Sequence, residues 1–539
     1  MSSAGGNLDL LDVLVRNART RREDPVLVVD GRQISYGELV ARLDGLVAGF
    51  RARGLAPGSR IGVAVYHDTL AAELYLAAQA AGLQPTLLSF GLARVMPELV
   101  ARLGVQELVL GPQLDPAAFT AQAGAGGPRI WQVGAGAADV EQVRARMSAA
   151  PSAAGDWVRG RDDDVVSGIQ FTAGSTGVPK AIVRTVGTDV WDAWHRGWAY
   201  GLGEGERWVC ASPLNLSVLA AAMRASLLFS GAVVVMSEFS PEHLDAATAD
   251  GVSVLPLQAP QWRAVLATGL AAELPGRGLR TAVVTGQLMA PRALRELVTT
   301  LAPTARVVMN YGTSEAGTLA VTRSTDPGFG TQFCVGRPVP MNALEVVGPD
   351  GRPVPVGEIG EVVVAGPAVA PGYLHELCAD QAAPLLRAPR RTAPLRTGDA
   401  GRMDERGNLY LLGRWSDAVE LAGRTVLPVA VEERLRAVPG VADAVFTVFE
   451  KPGGPECAGV LIEPEPAAPP SADPASSNPA LSNPALSNPA SVDTAALVDV
   501  LAEQVGVPVD IQQVDSLPRT AAGKPDRPAA RRLLESRQT

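Results

Sequence analysis

Between residues 60 and 111 short apolar runs alternate with amphipathic stretches, and this alternation restricts the possible folds more than any other feature of the chain. RIGVAVY reads as a buried strand, TLAAELYLAAQAAGL as a helix, PTLLSF as a strand, MPELVARLG as a helix and QELVLG as another strand. Strand and helix alternating at this spacing predict parallel sheets covered by helices. The rhythm continues through AVVVMSE and the helix after it, then TAVVTG with ALRELVTTLA, and ends at RVVMNYG. Pockets in such sheets lie beyond the carboxyl ends of the strands. Upstream, PVLVVDGRQISYGEL reads as two short strands about the Asp30-Gly31 turn. Ser35 and Glu38 then stand at capping-box spacing before a helix with Leu39, Leu43, Leu46, Val47 and Phe50 on one face.

From about Cys334 the texture changes to short strands and Gly/Pro turns, as in VGRPVPMNALEVVGPDGRPVPVGEIGEVVVAGP and GNLYLLG. The α/β reading therefore places a large N-terminal domain over residues 1–412, with a β-rich subdomain at about 334–412, and a small α+β domain over 413–539. The small domain carries a helix at VAVEERLRAV and strands near ADAVFTVFE and AGVLIEP. Within it, residues 463–492 are rich in Pro, Ser and Ala and repeat SNPAL. Such a segment buries too little apolar surface for a packed core and is expected to be a disordered surface insertion, with partner binding as the alternative.

Composition narrows the function. A chain of 539 residues with 47% hydrophobic content can bury more than one core. Its net charge of -9 argues against a nucleic-acid partner and for small-molecule work. Cys210, Cys334, Cys378 and Cys457 are too few and scattered for a disulfide framework, which fits a reducing cytoplasm. The N-terminal residues lack the basic and long apolar regions of a signal peptide. The most apolar later window, VLAAAMRASLLFSGAVVVM, holds Arg224 and a Ser-Gly pair, so a helix, loop and buried strand explain it better than a membrane span. His67, His195, His243 and His375 form no His-x-x-His or His-Glu-x-x-His pattern, which disfavours transition-metal chemistry.

The first chemistry-bearing stretch is FTAGSTGVPKAIVRT. Its glycines, among them Gly174 and Gly177, let backbone N–H groups approach a phosphate chain, and Thr172, Ser175 and Thr176 add hydroxyls while Lys180 adds positive charge. The spacing is not that of a P-loop NTPase, and a loop of this composition alone is commonly only a turn. Four further segments follow in order: TGQLMA, NYGTSEAG, RTGDAGRMDERGNLYLLGR and LPRTAAGKPDR.

Together the five segments, spread over roughly residues 8–535, resemble the adenylate-forming superfamily of acyl-CoA synthetases, aryl-acid AMP ligases, peptide-synthetase adenylation domains and luciferases. The resemblance implies that FTAGSTGVPK is the phosphate loop and that Thr285, Gly286 and Gln287 flank adenine. Asn310, Tyr311 and Gly312 would contribute an aromatic face for the adenine ring, Ser314 a phosphate contact, and Glu315 an oxygen ligand for Mg²⁺ on the ATP phosphates. Asp399 would accept from the ribose hydroxyls, Arg414 would reach ribose or phosphate, and Lys524 would neutralise charge between the acid and the α-phosphate. It also implies ATP and Mg²⁺ as cofactors, CoA or a carrier protein as thiol acceptor, and a mobile small domain that rotates about a hinge at Ser416.

Where the sequence departs from the family, it bears on the substrate. Arg184 lies in a KAIVRT segment like that of aryl-acid ligases, but Val186 stands where those have histidine. Asn215 falls where amino-acid-activating domains carry Asp and aryl-acid ligases Asn, which disfavours a free α-amino acid. The alternative for Asn215 is the satisfaction of buried backbone. Leu214 replaces a His or aromatic residue, making this pocket wall less polar. Glu420 and the Arg424-Thr425 pair depart near the hinge and bear on CoA use more than on adenylation. No carrier domain is read after Lys524, so the leading expectation is a stand-alone ligase for an aromatic or apolar acid. An unusual substrate or non-thiol acceptor, as in secondary metabolism, is one alternative, and a silent nucleotide-binding relative is the other.

Overall fold

The computed structural model describes residues 8–29, 31–66, 69–123, 126–150, 157–172, 179–212, 215–236, 238–331, 333–421, 424–436, 438–450, 456–464, 492–519 and 526–536. The chain divides into two units. One comprises Met1–Glu345, Val363–Leu395 and Arg406–Leu409, and the other Val346–Val362, Arg396–Glu405 and Tyr410–Thr539.

Two parallel sheets build the first unit. In one, the strands run in the order Arg129–Gln132, Val105–Leu110, Arg60–Ala64, Gln84–Leu87, Val166–Phe171 and Ala181–Thr185, all parallel except the last. The other has a parallel centre of Pro25–Val29, Ala232–Val235, Arg207–Cys210, Val254–Gln258, Thr281–Thr285 and Arg306–Thr313. Antiparallel strands flank that centre, Arg32–Ser35 on one side and Gly317–Arg323 then Cys334–Pro338 on the other. The central strands read as unbroken apolar runs because helices cover both faces, so a register such as Val283 beside Val308 is buried throughout.

The helix Tyr36–Ala52 buries Leu39, Leu43, Leu46, Val47 and Phe50, the face its periodicity specified. Half of the expected capping box forms: Ser35 Oγ accepts from the Glu38 N–H at 3.2 Å, whereas the Glu38 carboxylate accepts from Arg42 one turn on. The PTLLSF strand ends at Leu87, and Phe90 turns into a short 3₁₀ helix, its ring edge-on to Tyr66 with centroids 5.7 Å apart. The apolar window around Arg224 is the helix Leu216–Leu228 followed by the strand Ala232–Val235. No helix among the described residues is long and apolar enough to cross a membrane.

In the second unit, Val441–Glu450 and Glu456–Pro464 pair antiparallel, and Val509–Gln513 joins parallel to the latter. Side chains alternate across this sheet. Phe446, Val460 and Ile462 pack with Leu435, Leu497 and Leu501, while Val445, Phe449 and Leu461 pack with Leu517, Ala530 and Leu534. A buried Glu432 accepts from the Phe446 N–H at 3.1 Å and from Arg527 at 2.8 Å, so its charge is both paired and hydrogen-bonded. The SNPAL repeats, residues 477–490, lie outside the described residues.

Candidate active site

At the carboxyl ends of two neighbouring parallel strands, Asn310 Nδ2 donates to Thr285 Oγ1 at 3.1 Å and ties the two adenine-side segments together. The chain leaves Thr285 through Gly286 at φ +75°, a conformation that favours glycine, and Gly286 and Gln287 are exposed. Tyr311 is buried. Beyond it the strands Arg306–Thr313 and Gly317–Arg323 form a hairpin in which Thr313 opposes Gly317. A side chain at Gly312 would come within 2.2 Å of the Gly317 carbonyl oxygen, so this close crossing requires glycine. The tight turn presents an exposed Ser314 and a half-buried Glu315. Two buried atoms here, Asn310 Oδ1 and Thr313 Oγ1, have no hydrogen-bond partner among the described residues. Buried polar atoms left without a protein partner can accept from a bound polar ligand or water.

Lys180 is exposed at the end of the second candidate loop. The strands before and after that loop, Val166–Phe171 and Ala181–Thr185, pair antiparallel at a sheet edge. Thr172 closes it: its N–H donates to Lys180 O, and its Oγ1 accepts from the Lys180 N–H, both at 3.3 Å. Gly174, Ser175, Thr176 and Gly177 lie outside the described residues, as do Leu214 and Lys524.

Tyr373, which the sequence reading missed, joins these two regions. Its hydroxyl donates to Glu315 Oε1 at 2.8 Å, and the Lys180 ammonium lies 4.9 Å from its ring centroid. Burial, and then the adjacent Glu315 charge, push its phenol well above the usual range, so it stays a donor at neutral pH. The signal available was APGYLHE, where a tyrosine follows a Pro-Gly pair and starts a short helix, but nothing in that stretch names its partners.

Arg184 is buried, with Nε 3.1 Å from Asp189 Oδ1 and Nη2 donating to Thr188 O at 2.9 Å. Asn215 is exposed and caps the helix Leu216–Leu228, accepting from the Ser217 N–H at 3.2 Å. Arg184 belongs to an ionic cluster below the Glu315 turn. Arg224 donates to Asp192 Oδ2 at 2.7 Å and to the Tyr75 hydroxyl at 3.2 Å, Arg196 to Asp192 Oδ1 at 3.0 Å, and Ser167 to Asp189 Oδ2 at 2.6 Å. Burial alone would raise the Asp192 carboxyl, but Arg196, Arg224 and Arg184 outweigh it and hold it far below the usual carboxylate range. A side chain at Gly317, where φ is +65°, would sit 2.1 Å from Asp192 Oδ1, so the cluster packs directly against the end of the Glu315 turn.

In the second unit Arg414 Nη1 lies 3.0 Å from Asp399 Oδ1. Thr397 Oγ1 accepts from the Asp399 N–H at 3.1 Å and donates to Val362 O at 2.8 Å, which fixes the strand that carries Asp399. Ser416 is exposed in the single turn Trp415–Asp417.

No group of three or more His, Cys, Asp or Glu residues among those described could hold a metal ion. A magnesium ion carried on phosphates needs only one or two protein carboxylates. Glu315, with the Ser314 hydroxyl beside it and two orphaned oxygens nearby, fits that need.

Residues 14–374 match the model of a family described as AMP-binding enzyme, and the chain belongs to that family. Over 95% of this chain and 92% of that one, it is 27% identical to a salicylyl-CoA synthase / salicylate adenylyltransferase of Streptomyces. It is 29% identical to a feruloyl-CoA synthase of Amycolatopsis over 84% and 87% of the two chains. Among solved structures, apo MatB from Rhodopseudomonas palustris superposes with a TM-score of 0.78 at 22% identity, covering 99% of this chain and all of that one.

Proposed function

We propose that this AMP-forming acid ligase activates an aromatic or otherwise apolar carboxylic acid as its acyl-adenylate and then passes the acyl group to the thiol of CoA or of a carrier protein. The observation that supports the reading is that Tyr373 touches both Lys180 and Glu315, while Asn310, five residues before Glu315, is bonded to Thr285. Relatives named for salicylate and ferulate support the aromatic preference.

In the first step a carboxylate oxygen of the acid attacks the α-phosphorus of ATP, the bond to the β-phosphate oxygen breaks, and pyrophosphate leaves. In the second, a thiol attacks the acyl carbonyl and AMP leaves. Tyr311 and the segment from Thr285 to Gln287 position adenine. Asp399 holds the ribose with Arg414 beside it. The loop from Thr172 to Lys180 cradles the phosphates, and Lys524 meets the charge that develops between acid and α-phosphate. Held by Glu315 beside Ser314, Mg²⁺ would supply charge neutralisation on the phosphates. Rotation of the small domain about Ser416 then withdraws Lys524 and admits the acceptor. The proposed setting is the reducing cytoplasm, in keeping with the few, scattered cysteines of the sequence.

The test is pyrophosphate release from Mg-ATP across aromatic, fatty and amino acids, with CoA, hydroxylamine or no acceptor added. Aromatic acids should give the fastest release, and CoA should convert adenylate to thioester. Release confined to amino acids would overturn the substrate class, and hydroxamate without thioester would overturn the CoA step. Glu315→Ala should raise the Mg²⁺ concentration for half-maximal release by about tenfold or more, in line with the loss of a residue that supports a metal. An unchanged Mg²⁺ curve would remove Glu315 from the metal site.

A further inference from the structure

We infer that Tyr373 is a positioning residue for metal-nucleotide binding, acting through Glu315, an assignment that rests on the adenylation reading above. Three observations carry it. The phenol hydroxyl donates to Glu315 Oε1 at 2.8 Å, so one of the two carboxylate oxygens is fixed before any ligand arrives. The same ring carries the Lys180 ammonium on its face at 4.9 Å, so one side chain touches both charged groups of this mouth. The backbone around Tyr373 is also fastened at both sheets: Gly372 O accepts from the Val183 N–H at 3.1 Å, and the Ala370 N–H donates to Glu315 O at 2.7 Å. On its other side Tyr373 opens the helix Leu374–Leu377, where the Glu376 carboxylate accepts from its N–H at 3.1 Å.

A carboxylate on an exposed turn samples several rotamers, and each must be given up when a metal binds. A donor that grips one oxygen removes that cost and aims the other oxygen, which is how a group outside a coordination sphere raises metal affinity. Tyr373 is placed to do this for Glu315, and its ring faces the Lys180 ammonium as well.

Tyr373→Phe isolates the effect, because it keeps the ring beneath Lys180 and every backbone bond and deletes only the hydroxyl. Calorimetric ATP binding in EDTA, followed by titration with Mg²⁺, gives a readout independent of turnover. The variant should bind metal-free ATP as the parent does and need about 10- to 100-fold more Mg²⁺ for the metal-dependent gain. In a Glu315→Gln background the same substitution should add no further shift, since the hydroxyl then has no carboxylate to orient. A parental Mg²⁺ curve in Tyr373→Phe, or shifts that simply add in the double variant, would overturn the assignment. A parent protein that shows no Mg²⁺-dependent ATP binding would instead overturn the adenylation reading, and this inference with it.

Discussion

Lys524→Ala is expected to slow pyrophosphate release by about 100- to 1,000-fold, the loss typical when one preorganised charge donor is removed from a reacting centre. The expectation comes from the chemistry of the first step. The attacking carboxylate and the α-phosphate are both anionic, so their approach concentrates negative charge that only a cation on that side can offset. On the proposed reading, magnesium held through Glu315 and Lys180 beside the phosphate loop would both act on the phosphates, so neither would replace a lysine between acid and α-phosphate. Because Lys524 would act in the transition state and not in nucleotide binding, ATP affinity measured by calorimetry should change by less than about twofold. Lys524→Arg should recover part of the rate, since it keeps the charge but spreads it over a wider, flatter group. Equal adenylation rates in Lys524→Ala and parent would exclude the lysine from the step.

The alternation of apolar strand and amphipathic helix was legible because both kinds of element repeat along the chain with fixed periods. It led directly to the parallel centres of both sheets in the first unit. Ser314 and Glu315 stand out in the sequence only through the family resemblance of NYGTSEAG; that they sit on a tight turn, with Gly312 and Gly317 at the close approach of two backbones, is seen only in the fold. Tyr373 was not legible, because its partner Glu315 stands 58 residues away and the contact is made across two sheets. Asn215 was legible in one respect: an Asn before an apolar run is a natural N-cap, and its side chain does accept from the Ser217 N–H at the start of that helix. The ionic cluster left a partial trace. Asp189, Asp192 and Arg196 recur at helical spacing, and Arg224 interrupts an apolar window, but only the packed helices show that these charges face one another.

That cluster sets the largest expected effect on stability. Arg224→Met keeps an unbranched apolar stem and removes the charge, leaving Asp192 and Asp189 buried with Arg196 and Arg184 as their remaining cations. Breaking a buried ion pair from one side costs about 3–5 kcal/mol where the surviving charge is left unmatched, and the retained Arg196 and Arg184 make that range the ceiling here. The pH dependence tells this apart from a packing defect. In the parent, Asp192 is held far below its ordinary value of 3.8, so its stabilising contribution is complete above about pH 4 and is lost only as pH falls through the folded value. In the variant, burial acts with one arginine fewer against it and the carboxyl rises. The folded variant therefore takes up a proton at a pH where the parent does not, and its deficit relative to the parent shrinks on acidification. Urea unfolding followed from pH 7 downward should show the difference between variant and parent narrowing toward the acid end, whereas a deficit that stays constant until both proteins unfold would point to lost packing. Since Asp192 Oδ1 packs against Gly317, the same substitution should loosen the turn that carries Ser314 and Glu315. The variant's Mg²⁺ requirement for ATP binding should then rise even under conditions where it remains fully folded.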